Sequence, residues 1–254
     1  MLIESVQNKI IKEVNSLKMK KERDAKGLFV LEGERLINAV PKDYNIKYII
    51  RSLDYKGESP EATSYYVSKE LFAKIADTVN PQGILAVCYI KNEDINTVSY
   101  DNNNTFLVLE NVMDPGNMGT LIRTADAAGI AGVFISKGSV DIYNPKVIRS
   151  TMGSIFNLPI YRNVDMESLF NEFLVNNVCT VAGHLMGNLT PYEVEMAGNC
   201  AILIGNEASG ISDKLSNKAN YLVKIPMRGK AESMNASIAG AILIYEALRQ
   251  KEYR

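Results

Sequence analysis

Unbroken apolar runs alternate with helical patterns through the second half of the chain, and this alternation limits the fold more than any other feature. Strands of a parallel sheet read as continuous apolar runs because helices cover both faces of the sheet. We predict such strands at six places: Thr105–Glu110, Ala131–Ser136, Ile160–Tyr161, Val178–Ala182, Ala201–Ile204 and Tyr221–Ile225. The sequence therefore predicts an α/β fold with a parallel C-terminal sheet.

The N-terminal part of the chain predicts a smaller α/β unit. Apolar positions recur at helical spacing across residues 3–26, and Ser68 is expected to cap a helix that runs through Ile75. Strands are predicted at Leu28–Leu31, Ile46–Arg51, Tyr65–Val67 and Gly83–Ile90, with a helix after Glu32–Gly33. The stretch Lys91–Asn104 is polar and favours no regular element. We therefore divide the chain into a first domain at 1–97, a linker at 98–104 and a second domain at 105–254.

Composition indicates an ordinary globular protein, with 46% hydrophobic and 22% charged residues. No apolar run approaches the ~20 residues of a membrane helix, and the N-terminus lacks the apolar core of a signal peptide. We therefore expect a cytoplasmic protein with no membrane partner. The net charge of −1 argues against coating nucleic acid through bulk charge. The basic segment Lys18–Lys26 is either a local contact for phosphate or a solvated helix end.

Cysteine and histidine usage excludes several kinds of site. Cys88, Cys179 and Cys200 lie far apart in apolar runs, which predicts buried thiols rather than metal ligands or a disulfide framework. His184 is the single histidine, so a multi-histidine metal site is excluded. A Ser-His-Asp mechanism would have to use His184 itself, and no GxSxG elbow accompanies it. We therefore predict no metal.

Three polar blocks follow predicted strands of the second domain, where ligands bind in open α/β sheets. The first block, Leu107–Gly129, turns at Asp114-Pro115-Gly116 and predicts a helix with Asn117 as its N-cap. The buried stripe of that helix is predicted to contain Leu121, Ile122, Ala125 and Ala128. Arg123 lies off the stripe, where it is either available to an anion or paired with Asp126.

The second block, Ala201–Ser212, leaves a buried strand through Gly205 and Glu207. Glycine at this position permits close approach to the backbone. The carboxylate of Glu207 would repel a phosphate, and no GxxxxGK[ST] loop is present. The block is therefore either part of a ligand site or a turn whose glutamate caps a neighbouring helix.

The third block, Ile225–Ala247, passes from an extended Ile-Pro-Met through a polar loop into a helix, with Ser233 predicted as the N-cap. An apolar row at helical spacing comprises Met234, Ile238, Ala241, Tyr245 and Leu248. Small residues keep the helix thin at Ala236, Ala239 and Gly240. Exposed loop backbone and free N–H groups at the helix start favour a small polar ligand. A capped helix packed closely on a neighbour is the alternative.

Together the three blocks resemble the SpoU/TrmH family of RNA ribose 2′-O-methyltransferases, within the SPOUT superfamily. The first family motif is similar to DPGNMGTLIR, which carries Asn117 and Arg123. The second is similar to GNEASG at Gly205–Gly210, and the third to Ile225-Pro226-Met227 followed by Ser233-Met234-Asn235-Ala236-Ser237. The motifs occur in the family's order and cover about 150 C-terminal residues. An ordinary Rossmann methyltransferase is disfavoured, since no GxGxxG follows the first strand of either domain.

The resemblance implies S-adenosylmethionine as cofactor, held in a C-terminal trefoil knot, and a site completed across a homodimer. The positions that match the family's cofactor contacts are Gly183, Leu185, Gly205, Ile225, Met227 and Met234. The family gives Arg123 the leading role at the ribose hydroxyl and Asn117 the orientation of the ribose. Glu207, Ser233 and Asn235 would hold Arg123 and the site loops.

The N-terminal domain looks like the family's ribosomal-protein-like substrate-binding domain, through FVLEGERL at Phe29–Leu36 and NPQGILAV at Asn80–Val87. Its presence favours 23S ribosomal RNA as substrate over tRNA. Candidate RNA contacts are Lys18, Lys20, Lys21, Arg23, Lys26 and Arg35. The alternatives are a tRNA ribose methyltransferase and a catalytically inactive RNA-binding or ribosome-assembly protein.

Overall fold

The computed structural model describes residues 1–100 and 103–253, and the chain packs into two compact units. Unit 1 comprises Met1–Lys91 and Asp141–Phe156. Unit 2 comprises Asn92–Val140 and the chain from Asn157 onward. Residues 101 and 102 of the predicted linker and residue 254 of the predicted second domain lie outside the described residues.

Strands and helices alternate along most of the chain. The strands are β1 Leu2–Ile3, β2 Leu28–Glu32, β3 Ile46–Ser52, β4 Ser64–Val67, β5 Ile84–Tyr89, β6 Thr105–Leu109, β7 Gly132–Ser136, β8 Ile160–Val164, β9 Cys179–Gly183, β10 Cys200–Ile204 and β11 Tyr221–Val223. The helices are α1 Lys9–Ser16, α2 Lys20–Lys26, α3 Glu34–Asn38, α4 Lys69–Ile75, α5 Pro115–Ala127, α6 Pro145–Thr151, α7 Met166–Val175, α8 Asp213–Ser216 and α9 Ala236–Glu252. Short 3-10 turns occupy Ile95–Thr97, Ser154–Phe156 and Pro191–Glu193.

Unit 1 is built on a five-stranded mixed sheet in the order β1-β4-β3-β5-β2. The capped helix predicted after Ser68 is confirmed, since the Ser68 hydroxyl accepts a hydrogen bond from the Leu71 N–H and α4 ends at Ile75. The helical pattern across residues 3–26 instead divides into β1, α1 and α2. Asn8 caps α1 through its side chain, and Met19 is extended between the two helices.

Residues 141–156, which lie between β7 and β8 in the chain, pack into unit 1. The guanidinium of Arg23 binds the Asp141 carboxylate at 2.6 and 2.8 Å, with both side chains buried. The rings of Phe29 and Tyr143 lie 4.5 Å apart. A buried ion pair therefore attaches this segment to α2, and an aromatic contact attaches it to β2, both more than a hundred residues earlier in the sequence.

Unit 2 is built on a six-stranded sheet in the order β11-β9-β10-β6-β7-β8, and every pair is parallel. The predicted parallel α/β fold is therefore confirmed. The helices α5 and α9 pack together where Gly240 meets Leu121: a Cβ at Gly240 would lie 2.3 Å from a Leu121 methyl. Within the described residues, no helix has the length and apolar character needed to cross a membrane.

The three thiols are free. Cys88 and Cys200 are buried as predicted, and burial raises the pKa of Cys88 to about 12 and that of Cys200 to about 11. Cys179 is half-buried, because it opens β9 at the start of the strand. Such thiols stay protonated at neutral pH and act as small apolar side chains.

Replacing Asp141 by Asn should lower the free energy of unfolding by about 3–5 kcal/mol, because the change leaves the buried Arg23 charge without its partner. Urea unfolding followed by circular dichroism measures the loss. The matched control is Arg149→Ala, which removes the half-exposed pair between Arg149 and Asp77 and should cost about 1 kcal/mol or less. Equal losses in the two variants would contradict a stabilising role for the buried pair.

Candidate active site

The three polar blocks leave neighbouring strands at the same edge of the sheet in unit 2. Gly183, at the end of β9, is paired in register with Val223, at the end of β11. Ile204, at the end of β10, is paired with Leu109, at the end of β6. Since all four strands are parallel, their carboxyl ends open side by side, which is where open α/β sheets bind ligands. The topology thus gathers loops that are far apart in sequence.

The turn after β6 is fixed by Asp114, not by Asn117. The Asp114 side chain accepts a hydrogen bond from the Asn117 N–H at 2.8 Å, and Pro115 is the first residue of α5. The prediction of Asn117 as the N-cap is therefore wrong. Proline is preorganised for the first helical position, so the residue before it becomes the cap. Asn117 instead lies in the first turn, buried, with its amide free for tertiary contacts.

A chain of hydrogen bonds joins the three motifs through Glu207, Asn117 and Asn235, which we call the amide–carboxylate chain. The Asn117 amide nitrogen donates to the Glu207 carboxylate at 3.1 Å. The Asn235 amide nitrogen donates to the Asn117 amide oxygen at 2.8 Å. Each amide uses both of its ends in directed bonds, so the three side chains hold one another in a single arrangement.

Glu207 also binds backbone of the β6–α5 turn. Its carboxylate accepts from the Met113 N–H at 3.2 Å and from the Asp114 N–H at 3.0 Å. Partial burial alone would raise the pKa of Glu207, but the bonds from Asn117 and the backbone outweigh it and hold the pKa below its ordinary value of 4.5. Glu207 is therefore an anion at neutral pH, satisfied by neutral donors. The alternative interpretation, that Glu207 caps a neighbouring helix, is partly right, because the carboxylate binds N–H groups at the start of α5.

Asn235, and not Ser233, caps α9. The Asn235 amide oxygen accepts from the Ser237 N–H at 2.9 Å and from the Ile238 N–H at 3.3 Å. The prediction of Ser233 as the N-cap is therefore wrong. Ser and Asn are both good caps, and here the bond to Asn117 selects Asn235. Ser233 lies exposed two residues before the cap.

Arg123 lies on the exposed face of α5, away from the buried Leu121, Ile122 and Ala125. In the part of the chain that the structure describes, its side chain makes no hydrogen bond or ion pair, and Asp126 accepts from Asn157 instead. Pairing with Asp126, the alternative for Arg123, is therefore wrong. Glu207 and Asn235 hold the site loops but do not contact Arg123. The guanidinium is left available to an external anion or hydroxyl.

The six residues predicted to contact the cofactor follow β9, β10 and β11 or precede α9. Gly205 is buried, and a Cβ there would lie 2.2 to 2.3 Å from the backbone of Gly210 and Ile211. Position 205 therefore requires glycine, because the loop after β10 folds back on its backbone. The others are either half-buried (Gly183, Ile225 and Met227) or more exposed (Leu185 at 55% and Met234 at 36%).

The residues predicted to bind RNA separate into two groups in unit 1. Lys18, Lys20, Lys21, Lys26 and Arg35 are exposed. Among them, Lys26 is paired with Glu22 at 2.9 Å. Arg23 is only 3% exposed and binds Asp141 together with the carbonyls of Leu17 and Lys18. Four of its five N–H donors are used in these bonds, and its burial keeps the guanidinium away from an external phosphate.

Two site residues escaped the sequence analysis. Glu110 is buried at the end of β6, and its carboxylate accepts from the Ser212 N–H at 2.8 Å. The Asn206 amide nitrogen donates to the Asn111 carbonyl at 2.8 Å. A carboxylate directly after the apolar run of β6 was the available signal for Glu110. Asn206 carried none beyond its place between Gly205 and Glu207.

Comparison with known proteins decides the family. The sequence model of the SpoU rRNA methylase family matches residues 104–245, more than half of the chain. This chain belongs to the SpoU rRNA methylase family. The model of the MRM3-like substrate binding domain matches residues 8–86. The resemblance of the three motifs to SpoU/TrmH methyltransferases is thereby confirmed.

Relatives of similar length strengthen the assignment to the SpoU family. The chain is 36% identical over 248 residues to the 23S rRNA (guanosine(2553)-2′-O)-methyltransferase RlmP of Bacillus subtilis, covering 96% of this chain and 97% of that protein. An rRNA methyltransferase from Sinorhizobium meliloti superposes with a TM-score of 0.88 at 29% identity, over 100% of this chain and 99% of the other. A second structure of the Sinorhizobium protein contains AdoMet and has a TM-score of 0.87 over the same shares of the two chains, again at 29% identity.

Replacing Glu207 by Gln should lower stability at neutral pH and leave it little changed in acid. A carboxyl whose folded pKa is depressed contributes stability above its unfolded pKa, and this contribution is lost as the pH falls through the folded value. Thermal unfolding of both proteins between about pH 7 and pH 3 measures the difference. A difference that stays constant across this range would show that the Glu207 charge contributes nothing to the loops.

Proposed function

We propose that the protein transfers a methyl group from S-adenosylmethionine to a ribose 2′-hydroxyl of 23S ribosomal RNA. The observation that carries this proposal is the amide–carboxylate chain at the start of α5, together with an exposed Arg123 on the same helix that has no hydrogen bond or ion pair among the described residues. An enzyme that works on an RNA sugar needs fixed polar groups for the ribose and a free cation for the adjacent phosphate. The fixed amide of Asn117 and the cation of Arg123 both lie on α5.

The share of this chain that each relative matches favours ribosomal RNA over tRNA as the substrate. The Bacillus subtilis relative named for a 23S rRNA guanosine matches 96% of this chain, including unit 1. A structure described by 2-OH methylation of C/U34 on tRNA matches 60% of this chain, and this match covers 99% of that protein's own chain. A substrate-binding domain beside the catalytic one is therefore what distinguishes this chain from that tRNA enzyme.

We assign the cofactor to the loops that follow β9, β10 and β11, and these residues fit it. Gly183, Gly205 and Ile225 offer backbone N–H and C=O groups and no competing charge. Leu185 and Met234 offer exposed apolar side chains for an adenosine or a methionine moiety, and Met227 lies between them in sequence. When bound, S-adenosylmethionine supplies an electrophilic methyl group.

A trefoil knot is part of this proposal. Its support is that β10 lies between β6 and β9, and that the loop after β9 packs on the end of β11. A Cβ at Gly187 would lie 2.7 to 2.8 Å from the backbone of Leu222–Lys224, and Leu189 bridges Val223. Loops packed this closely enclose a small ligand with backbone groups.

The residues of this chain can provide position and charge to the reaction. Arg123 binds the phosphate next to the target ribose and stabilises negative charge as it develops on the 2′-oxygen. Asn117 is held by Glu207 and Asn235, so it presents a fixed backbone and amide to the ribose. Ser233 lies two residues from Asn235 and faces solvent, where it contacts the RNA or the cofactor. Arginine stays protonated, so its role is electrostatic.

We infer a homodimer that buries the apolar row of α9. This row faces out of unit 2, with Met234, Ile238 and Tyr245 exposed by 36%, 52% and 49%. The opposite face of the helix is buried through Gly240, Leu243 and Ala247. A row of large exposed apolar side chains beside a candidate site is typical of a protein interface.

We assign RNA binding to residues 1–97 and catalysis to residues 105–254, joined by the linker 98–104. The family matches at 8–86 and 104–245 support this division. Exposed Lys18, Lys20, Lys21 and Arg35 are the proposed phosphate contacts, with Lys26 held back by Glu22. Such contacts weaken with added salt.

We place the enzyme in the cytoplasm, where ribosomes are assembled.

Replacing Arg123 by Ala should lower methyl transfer by about 10²–10³-fold, because one charged donor at the reacting oxygen is lost. The assay follows labelled methyl from S-adenosylmethionine into a 23S rRNA transcript, with the modified ribose located by primer extension.

Cofactor affinity by calorimetry should be unchanged in this variant, since Arg123 lies outside the proposed cofactor loops. Arg249→Ala, which removes an exposed arginine at the far end of α9, is the control and should retain full activity. A normal rate of methyl transfer by the Arg123 variant would contradict the role of Arg123 at the reacting oxygen. Absence of any 2′-O-methyl group with the wild-type enzyme would remove the proposed function.

Replacing Ile238 by Glu should convert a dimer into a monomer, because a charge would be buried in the apolar contact. Sedimentation velocity measures the mass. Leu174→Glu, at a residue of α7 that is 76% exposed, is the matched control and should leave the mass unchanged. A wild-type protein that sediments as a single chain would contradict the dimer.

A further inference from the structure

The loop after β10 is a closed and rigid unit. Asn206 and Gly210 exchange two backbone hydrogen bonds of 2.9 Å, and the Asn206 side chain accepts from the N–H groups of Ala208 and Ser209. Gly205 packs directly on the backbone of Gly210 and Ile211. Because these bonds leave the loop little freedom, fixing one end of it fixes the direction of the Glu207 carboxylate.

This rigid loop and the β6–α5 turn hold each other through reciprocal carboxylates. Glu207 of the loop binds the N–H groups of Met113 and Asp114 in the turn. Glu110, at the start of the turn, binds the N–H of Ser212, where the loop ends. The Asn206 amide adds a third bond, to the Asn111 carbonyl. Neither segment can shift without breaking charge-assisted bonds contributed by the other.

We propose that Glu110 is a positioning residue that makes cofactor binding and RNA binding depend on each other. This inference rests on the proposed function, which assigns the cofactor to the loop that contains Gly205 and the ribose to the turn that contains Asn117. Glu110 is 9% exposed, and its carboxylate binds Ser212, which lies outside the residues assigned to either ligand. It anchors the loop at Ser212, and the loop places Glu207 against Asn117. A ligand that shifts this rigid loop therefore shifts the turn with it.

Linkage makes this dependence measurable, because two sites coupled in this way strengthen each other's binding by the same factor. The probe is sinefungin, a charged analogue of S-adenosylmethionine that transfers no methyl group. The affinity of the full-length protein for a 23S rRNA transcript is measured with and without saturating sinefungin. We expect sinefungin to tighten RNA binding about tenfold in the wild-type protein.

Glu110→Ala should reduce that factor to about one, while RNA affinity without sinefungin stays near the wild-type value. Glu110→Gln keeps an oxygen that can accept from Ser212 and should retain part of the factor. The control is Glu246→Ala, which removes another buried carboxylate, bound to Arg249 and Gln250 on α9, and should retain the full factor.

A second variant keeps the test decisive if Glu110→Ala fails to fold. Ser212 has a φ of −61°, which proline adopts without strain, so Ser212→Pro removes the N–H donor and leaves Glu110 in place. It should also reduce the factor to about one. A tenfold factor that survives either folded variant would overturn the role of Glu110, as would a wild-type factor of one. Methylation of the same transcript by the wild-type enzyme is measured first, so that failure of the proposed function is recognised separately.

Discussion

The carboxylate of Glu207 is the interaction on which the candidate site depends. It accepts hydrogen bonds from two backbone N–H groups and from the Asn117 amide, all contributed by the segment after β6. Backbone N–H groups at the start of a helix have no intrahelical partners, and a carboxylate anion needs donors. Each requirement satisfies the other. Because β10 and β6 are neighbours in the sheet, the two segments meet without any long excursion of the chain.

Structural elements governed by one dominant physical effect could be predicted most reliably from the sequence. Strands covered on both faces must be continuously apolar, so β6, β7, β9 and β10 could be predicted directly, with errors of at most one residue at each end. Helix caps were less predictable. Asp114, Asn117, Ser233 and Asn235 are all competent caps, and the structure uses Asp114 and Asn235. The choice depends on Pro115 in one case and on a contact 118 residues away in the other.

What the sequence could not predict depends on partners that are distant in the chain. The basic segment 18–26 predicted exposed cations, yet Arg23 is buried because Asp141 lies against it. Residues 141–156 carried no signal that they pack into unit 1. The apolar row of α9 had the period of a buried helix face, but Gly240, Leu243 and Ala247 occupy the buried side instead. Periodicity identifies a helix and does not say which of two apolar faces its own unit covers.

The charge arrangement explains how a site with a carboxylate can still receive RNA. Had Glu207 been neutralised by Arg123, the guanidinium would have been unavailable to a phosphate. Instead Glu207 is satisfied by neutral amide and backbone donors, and Asp126 is bound by Asn157. Glu207 and Asp126 are therefore bound by uncharged groups, and the cation on the exposed face of α5 keeps its attraction for an external anion. Under the proposed function, a site built in this way keeps its loops ordered with one charge and recognises its substrate with the other.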